Sequence, residues 1–467
     1  MIRSEETICA PATSGGGAIA IIRVSGLQCI DICEKIFLPS DKKIKLNEQK
    51  GYSLIYGDIK EGEEVIDDVM VSIFRAPLSY TGENSVEISC HASSYIQQTI
   101  LGLLIRNGAV VAQPGEFTRR AFLNGKLDLL QAEAVADIIA SSSEAAHKVA
   151  INQMRGGFSK EIGRLRSQLL HFASMIELEL DFGEEDVEFA DREKLKELVT
   201  STKFLADRLS SSFILGNAVR NGIPVTITGK PNSGKSTLLN TLLMEEKAIV
   251  SEIPGTTRDT IEDTIIIEGI EYRFIDTAGL RETSDIIENL GIKKTHEKID
   301  QASVILYIDD ISDTAESINS RVDEIRNLIR DSEKRLFILI NKIDQDKTGR
   351  VKDLSQEIKI NEADTLLFIS AKKHLGIDEL KQRLGEIILR EKLNTGNVII
   401  TNLRHYEAMM RVSESLGRVL SGLVEQIPSD LIAIDIRHAI HYLGEITGEI
   451  TSDEILGNIF KNFCIGK

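Results

Sequence analysis

Apolar positions along this chain change their period as the sequence proceeds, and each change predicts a different kind of structure. Over residues 1–120 they fall in short β-rich runs. Ala18-Ile-Ala-Ile-Ile-Arg-Val24 and Val69-Met-Val-Ser-Ile-Phe74 read as strands, with Gly15-Gly-Gly17 and Pro114-Gly115 as breaks. A helical period then takes over. Leu130, Ala134 and Ile138 recur every four residues, and Ile162, Leu165, Leu169, Phe172, Ile176 and Leu180 alternate steps of three and four, the apolar face of an amphipathic helix. The acidic run Glu184-Glu-Asp186 that follows reads as a solvated helix end or loop.

From about residue 223 strands alternate with helical segments. Val225-Thr-Ile-Thr228, Tyr272-Arg-Phe-Ile275, Val304-Ile-Leu-Tyr-Ile308, Leu336-Phe-Ile-Leu-Ile340 and Leu366-Leu-Phe-Ile369 are mostly continuous apolar runs, as expected of strands covered on both faces of a mainly parallel sheet. After about 385 the helical period returns with Met409, Val412, Leu416, Leu420 and Leu423. The expected fold class is α/β plus α. An α/β domain at 1–120 precedes a discontinuous helical domain of 121–215 and 386–467, which is interrupted by an inserted α/β domain at 216–385 with a mainly parallel sheet and helices on both faces.

Composition narrows this picture. A chain of 467 residues is long enough for several cores, and 42% hydrophobic with 27% charged residues describes a globular protein. The net charge of −17 argues against a chain-wide footprint for nucleic acid. Glu5 and Glu6 stand where a secretory leader needs a basic start, and no apolar run approaches the roughly 20 residues that span a bilayer. Cys9, Cys29, Cys33, Cys90 and Cys464 form no CxxC pair or disulfide framework, so a reduced, cytoplasmic protein without a membrane segment is expected.

The inserted domain carries the chemistry. Gly229-Lys-Pro-Asn-Ser-Gly-Lys-Ser236 follows a predicted strand and opens a helix through Thr237, the context a phosphate-binding loop requires. Backbone N–H groups of Asn232, Ser233 and Gly234 would cradle phosphate oxygens, Lys235 would place a charge on the β/γ-phosphates, and the Ser236 hydroxyl would ligate Mg²⁺. Asp276-Thr277-Ala278-Gly279 ends a second strand, where Asp276 can reach the metal's outer shell and the Gly279 N–H a γ-phosphate. Asn341-Lys342-Ile-Asp344 ends another. The Asp344 carboxylate can accept the two donors on the guanine edge, which adenine lacks, and Ser370-Ala371-Lys372 completes the base pocket. These motifs, in this order, predict a GTP-hydrolysing G domain. The residue after Gly279 is Leu280, where Ras-like hydrolases carry a glutamine that orients water. Either hydrolysis is slow or another group supplies that function; a monovalent cation held by oxygens of Asn232 and of Gly255-Thr-Thr-Arg-Asp259 is one candidate.

Phe463-Cys-Ile-Gly-Lys467, Gly255-Thr-Thr-Arg-Asp259, Asp276-Thr-Ala-Gly-Leu-Arg-Glu282, Tyr80-Thr-Gly-Glu83 and Pro114-Gly-Glu-Phe-Thr-Arg-Arg-Ala-Phe-Leu-Asn-Gly-Lys-Leu-Asp128 resemble the MnmE (TrmE) family of tRNA-modification GTPases over essentially the whole chain. The resemblance implies a homodimer whose N-terminal domain binds 5-formyl- or 5,10-methylene-tetrahydrofolate, and a heterotetramer with the FAD-dependent MnmG (GidA) partner. It also implies a carboxymethylaminomethyl or aminomethyl group installed at C5 of the wobble uridine of tRNA, with G domains that meet in a K⁺-dependent state. By family matching, Ser251, Glu252, Ile253, Pro254, Gly255, Thr256 and Thr257 join the GTP site. K⁺ would be held by the Asn232 side chain and the backbone oxygens of Ser251, Ile253 and Thr256, and Thr257 would join Ser236 on Mg²⁺. Glu288 matches the family's general base or water organiser, which answers the puzzle of Leu280 and makes Glu288 and Lys235 the catalytic pair. Arg23, Glu87, Lys126 and Lys467 match the folate contacts. Cys464 reads either as a thiol that guides the one-carbon chemistry or as a plain C-terminal cysteine. Cys90-His-Ala-Ser93 departs from the family's glycine-rich stretch after the folate-site glutamate, and Gly183 from its usual proline.

Two rival sites are weaker. His438, His441 and Glu445 share a helix face but read as polar surface, and Arg119, Arg120 and Lys126 are read as folate neighbourhood before RNA contact, most of the tRNA affinity falling to the partner. The alternative function is a regulatory or ribosome-assembly switch without RNA chemistry of its own.

Overall fold

The strand predicted at Ala18–Val24 runs from Ile19 to Ser25 and lies inside a seven-stranded sheet. The structure, a computed structural model, describes residues 6–13, 16–181, 191–247, 263–275, 291–329, 334–362, 364–389, 399–461, 463 and 466. The N-terminal elements are β1 (Ile8–Pro11), β2 (Ile19–Ser25), α1 (Cys29–Glu34), β3 (Phe37–Pro39), β4 (Ser53–Glu61), β5 (Glu64–Phe74), β6 (Ser85–His91), α2 (Ser94–Arg106), β7 (Val110–Val111) and α3 (Glu116–Leu123). The strands lie in the order β3-β4-β5-β6-β2-β1-β7, antiparallel except where β1 meets β7. Period-two alternation buries Val69, Val71 and Ile73 of β5 and Ala20, Ile22 and Val24 of β2 with residues of α1 and α2. The same alternation turns Arg23 and Glu87, a register pair of β2 and β6, to the opposite face. The predicted Val69–Phe74 run is only the second half of β5; its first half, Glu64-Val-Ile-Asp-Asp68, pairs with β4 yet carries three acids, which broke the apolar pattern.

Helices α4 (Leu129–Ala140), α5 (Glu144–Met154), α6 (Gly157–Asp181), α7 (Arg192–Ser211) and α8 (Phe213–Asn221) follow. Asp128 and Gln131 form a reciprocal capping box at the start of α4. The chain then builds a second sheet from β8 (Ile223–Thr228), α9 (Lys235–Lys247), β9 (Asp263–Ile267), β10 (Ile270–Phe274), α10 (Gly291–Gln301), β11 (Val304–Asp310), α11 (Ala315–Leu328), β12 (Arg335–Asn341), α12 (Arg350–Glu357), β13 (Asp364–Phe368) and α13 (Ile377–Leu389). Its order is β13-β12-β11-β8-β10-β9, parallel except for the edge strand β9. Sequence reading missed β9. It is a hairpin arm joined to β10 through Glu268 (φ 51°) and Gly269 (φ 75°), the left-handed pair a tight primed turn needs. Separate apolar cores cover the two faces, as continuous apolar strands require.

Three more helices close the chain: α14 (Leu403–Glu425), α15 (Ser429–Thr447) and α16 (Asp453–Lys461). One core joins Leu130, Ile162, Leu169, Ile176 and Val199 from before the second sheet to Ile400, Met409, Val412, Leu416, Ile436 and Leu443 from after it. Glu133 of α4 is buried in that junction between Arg404 (2.9 Å) and His405 (2.7 Å) of α14. The second sheet meets these helices where Ala145 N donates to Gly269 O of the β9–β10 turn (3.1 Å). α8, which leads into β8, is held to α4 by the Arg220–Asp137 pair (2.7 Å), and Ile400 N donates to Ser212 Oγ (3.1 Å) where the chain enters and leaves the sheet. At the C-terminus, Leu456, Phe460 and Phe463 pack with Leu129 and Ala132 of α4 and Phe122 of α3, which returns the tail to the helices that follow the N-terminal sheet. No helix among the described residues is long and apolar enough to cross a membrane.

Candidate functional site

β8 is the central parallel strand that feeds α9, and residues 229–234 form the turn between them. Gly234 sits at φ 106°, and a Cβ there would collide with Asn341 Nδ2, so conformation and space both demand glycine. Lys235 opens α9 and folds its ammonium back into the loop, donating to Gly229 O (2.9 Å) and Lys230 O (2.7 Å). Burial chiefly, with repulsion from Lys298, lowers the pKa of Lys235 from the usual lysine range. An anion in the loop relieves both effects, which suits a phosphate group.

The base-reading motifs arrive at the same sheet end. Asn341 is buried at the end of β12; its Nδ2 donates to Ser233 O (2.8 Å) and its Oδ1 accepts from Ala371 N (3.0 Å). One amide therefore ties the phosphate loop, the Asn341–Asp344 turn and the Ser370–Lys372 turn together. Thr241 of α9 adds a bond to Ala371 O (2.9 Å). Ser370 Oγ donates to Asp344 Oδ1 (2.6 Å), fixing the carboxylate while Oδ2 has no partner among the described residues. The predicted residues Asn232, Ser233, Gly234, Lys235, Ser236, Thr237, Asn341, Lys342, Asp344, Ser370, Ala371 and Lys372 thus lie on the turns and helix start at one end of the sheet.

Ser236 is partly exposed in the first turn of α9, and Asn232 is exposed at the loop tip. Both present oxygens suited to hard cations. Ser251, Glu252, Ile253, Pro254, Gly255, Thr256, Thr257, Asp276, Thr277, Ala278, Gly279 and Glu288 lie outside the described residues, as do Cys464 and Lys467. Among the described residues no cluster of three or more His, Cys, Asp or Glu is arranged to hold a metal. His441 pairs with Glu445 (3.1 Å) on its own helix, and His438 lies 3.9 Å from Asp435.

On the open face of the N-terminal sheet, Arg23 Nε donates to Glu87 Oε1 (2.9 Å) and its Nη1 to Gly466 O (3.3 Å). The guanidinium also stands over the rings of Tyr80 (5.3 Å) and Phe117 (5.6 Å). Lys126 Nζ donates to Pro77 O (3.0 Å), and its stem lies against Gly82 of the loop that carries Tyr80. Arg23 and Glu87 therefore form one pair, which the C-terminal tail adjoins one residue before Lys467, while Lys126 holds the loop that brings Tyr80 to that pair. Gly466 itself is at φ 95°, where a Cβ would collide with Pro11 O. Arg120 pairs with Glu83 (3.2 Å) and Glu116 (3.0 Å), and Ser25 Oγ donates to Glu83 Oε2 (2.9 Å), which explains why Arg120 faces inward and is not a surface cation.

Sequence reasoning missed the charged frame under the phosphate loop. Lys230 pairs with Asp313 and lies 3.7 Å from buried Asp309, and Arg321 holds both carboxylates (2.7 and 2.8 Å). Acids ending an apolar strand look like any solvated turn in sequence, and only the topology faces them with the loop. Tyr80 and Phe117 lay within quoted motifs, but nothing in their spacing pointed to Arg23.

Two family descriptions match the chain: "GTP-binding protein TrmE N-terminus" over residues 7–126 and "MnmE helical domain" over residues 129–464. The chain is 53% identical over 466 residues to the tRNA modification GTPase MnmE of Bacteroides fragilis (strain YCH46), covering 99% of this chain and 100% of that protein. To the tRNA modification GTPase MnmE of Flavobacterium psychrophilum it is 52% identical over 466 residues, covering 99% of each. Among solved structures, an Era variant from Aquifex aeolicus bound to GDP.AlF4- is 30% identical over 41% of this chain and 66% of that one, at a TM-score of 0.28.

Proposed function

Because the chain belongs to the MnmE (TrmE) family and is a tRNA modification GTPase, we propose that it is the GTP-hydrolysing subunit of a complex that adds a carboxymethylaminomethyl or aminomethyl group at C5 of the wobble uridine. The observation that carries the nucleotide part is the Asn341 amide, which holds the phosphate loop and both base-reading turns in one register. In this reading the loop N–H groups and Lys235 receive the phosphates, Asp344 reads guanine, and Glu288 orients the attacking water. Mg²⁺ held by Ser236 and Thr257 supplies charge to the β- and γ-oxygens when bound. A K⁺ ion on Asn232, Ser251, Ile253 and Thr256 supplies charge that other GTPases take from an arginine. The G domains of a homodimer meet in that state.

The folate part rests on Arg23 and Glu87. Glu87 keeps Oε2 for the adjacent N–H donors of a pterin, and Arg23, Lys126 and Lys467 are cations suited to carboxylates, with Arg23 in touch with the tail. The flavin-dependent partner binds most of the tRNA, in keeping with this chain's charge of −17, and the complex works in the cytoplasm. The domain limits proposed are 1–120, 121–215 with 386–467, and 216–385.

Nucleoside analysis of tRNA from cells lacking this chain tests the whole reading; normal wobble-uridine modification refutes it. GTP hydrolysis in K⁺ against Na⁺ at equal ionic strength tests the cation, where equal rates remove it. Undiminished hydrolysis by Glu288→Ala removes that residue's role.

A further inference from the structure

Lys342 follows Asn341 in left-handed backbone (φ 67°). Its side chain crosses to the phosphate loop, where Nζ donates to Asn232 O (2.8 Å). The same ammonium pairs with Asp310 Oδ2 at 2.6 Å. Asp310 is the last residue of β11, its side chain is only 11% exposed, and its Oδ1 accepts from Ser312 N (2.9 Å). The carboxylate is therefore aimed and cannot swing to water. Burial opposes its ionisation, but Lys342 and Ser312 together outweigh burial and lower its pKa. Asn232, whose carbonyl receives the ammonium, is itself at φ 60°, a conformation a non-glycine residue keeps only when its neighbours impose it.

We infer that Asp310 is a positioning residue of the nucleotide site: by holding the Lys342 ammonium on Asn232 O it locks the base-reading turn to the phosphate loop and so prolongs retention of guanine nucleotide. A nucleotide bridges the same two loops, with its base on one and its phosphates on the other. A strut that fixes their spacing beforehand removes a reorganisation cost on binding and opposes the parting that release requires. The adjacent Asp309 plays a different part. It is fully buried and held by Tyr307 Oη (2.7 Å) and Arg321 (2.7 Å), so it secures the fold. Asp310 is the carboxylate that touches the base motif. Lys342 is 31% exposed, so the pair adds little to global stability, but it sits at the rim where the loops open.

This role rests on the GTP-binding reading of the site, and one experiment separates the two. A fluorescent N-methylanthraniloyl GDP is loaded on the full chain and chased with excess GDP, for the parent, Asp310→Ala and Asp310→Asn, with unfolding followed in parallel by circular dichroism. Asp310→Ala should release nucleotide about tenfold faster, equivalent to about 1.4 kcal/mol. Asp310→Asn keeps the Ser312 bond but turns an amide N–H2 donor toward the Lys342 ammonium, so release about as fast as in Asp310→Ala is expected. A parent that binds no guanine nucleotide overturns the site reading itself. A parent that binds normally, with both variants releasing at its rate, overturns the positioning role; so does earlier unfolding with an unchanged release rate. If Asp310→Ala does not fold, Asp310→Asn decides by the same criterion.

Discussion

Glu133 offers a sharp test of how the helices on either side of the G-domain sheet are joined. Its Oε1 accepts from Asn402 Nδ2 (3.2 Å) and Arg404 Nε (3.3 Å), and its Oε2 lies 2.9 Å from Arg404 Nη2 and 2.7 Å from His405 Nε2. Burial is the largest single influence and would raise the carboxyl pKa, but His405 and then Arg404 outweigh it and bring the value down from 4.5 to about 2. A folded-state pKa below the unfolded one stabilises the protein above the unfolded value, and the benefit is lost as pH falls from about 4.5 through about 2. The depression corresponds to about 3 kcal/mol at neutral pH and to about 2 kcal/mol at pH 3.5.

The substitution Glu133→Gln removes the charge with little change of shape. The chain contains no tryptophan, so a Tyr442→Trp background places a single fluorophore against the helical core, still beside Arg411. Urea unfolding read at that fluorophore reports on the helical unit and not on the sheets. At a slope of about 2 kcal/mol per molar, Glu133→Gln should lower the midpoint by about 1.5 M at pH 7 and by about 1 M at pH 3.5. Glu133→Ala should cost more, about 3–5 kcal/mol, because the Arg404 guanidinium loses its counter-charge and His405 its hydrogen-bond partner. A Gln variant with the parental midpoint at pH 7, or a penalty that is the same at both pH values, would show that Glu133 is not an ionised link between the two helical stretches.

The remaining expectations are quicker to check. Gly234→Ala should abolish measurable GDP binding by calorimetry, because its Cβ collides with the Asn341 amide at a left-handed position; affinity within threefold of the parent would contradict the loop geometry. Gly466→Ala should displace the tail from Pro11 and speed hydrogen exchange of residues 8–13 by about tenfold, and unchanged exchange would mean the tail is not seated there. Burial raises Cys9 and Cys90 to about 11 and Cys29 to about 12, and raises Cys33 as well. At pH 8 a disulfide reagent should therefore modify at most one of the five thiols within minutes, and two or more fast thiols would refute the buried placement.

What could be read in the sequence was what a ligand or a covered face dictates locally. Phosphate asks for a glycine-rich turn between strand and helix, guanine asks for a carboxylate, and a two-sided sheet asks for unbroken apolar strands, so the core of β8, β11 and β12 could be read off the string. The hairpin arm β9 and the acidic half of β5 escaped because their pairing depends on a neighbour, not on an apolar run. The same distinction separates Asp344 from Asp310. The first lies in a motif whose spacing is set by the base; the second follows the hydrophobic run of β11, where an acid usually just meets solvent.

Long-range ion pairs are the extreme case, since Glu133 and His405 stand 272 positions apart with the whole second sheet between them. No local pattern can report that pairing, which ties together helices that lie on either side of the second sheet in the chain. The β9–β10 turn, fastened to the start of α5 at Ala145, and α8, fastened through Arg220 to Asp137, both bear on the helical unit. Asp137 lies one turn from Glu133 on α4, so the connecting helix and the buried carboxylate meet the same helix. α4 packs in turn through Leu129 and Ala132 against Phe460 and Phe463, a few residues before Gly466, whose carbonyl accepts from Arg23, so one helix borders the buried ion pair, the connecting helix and the C-terminal tail.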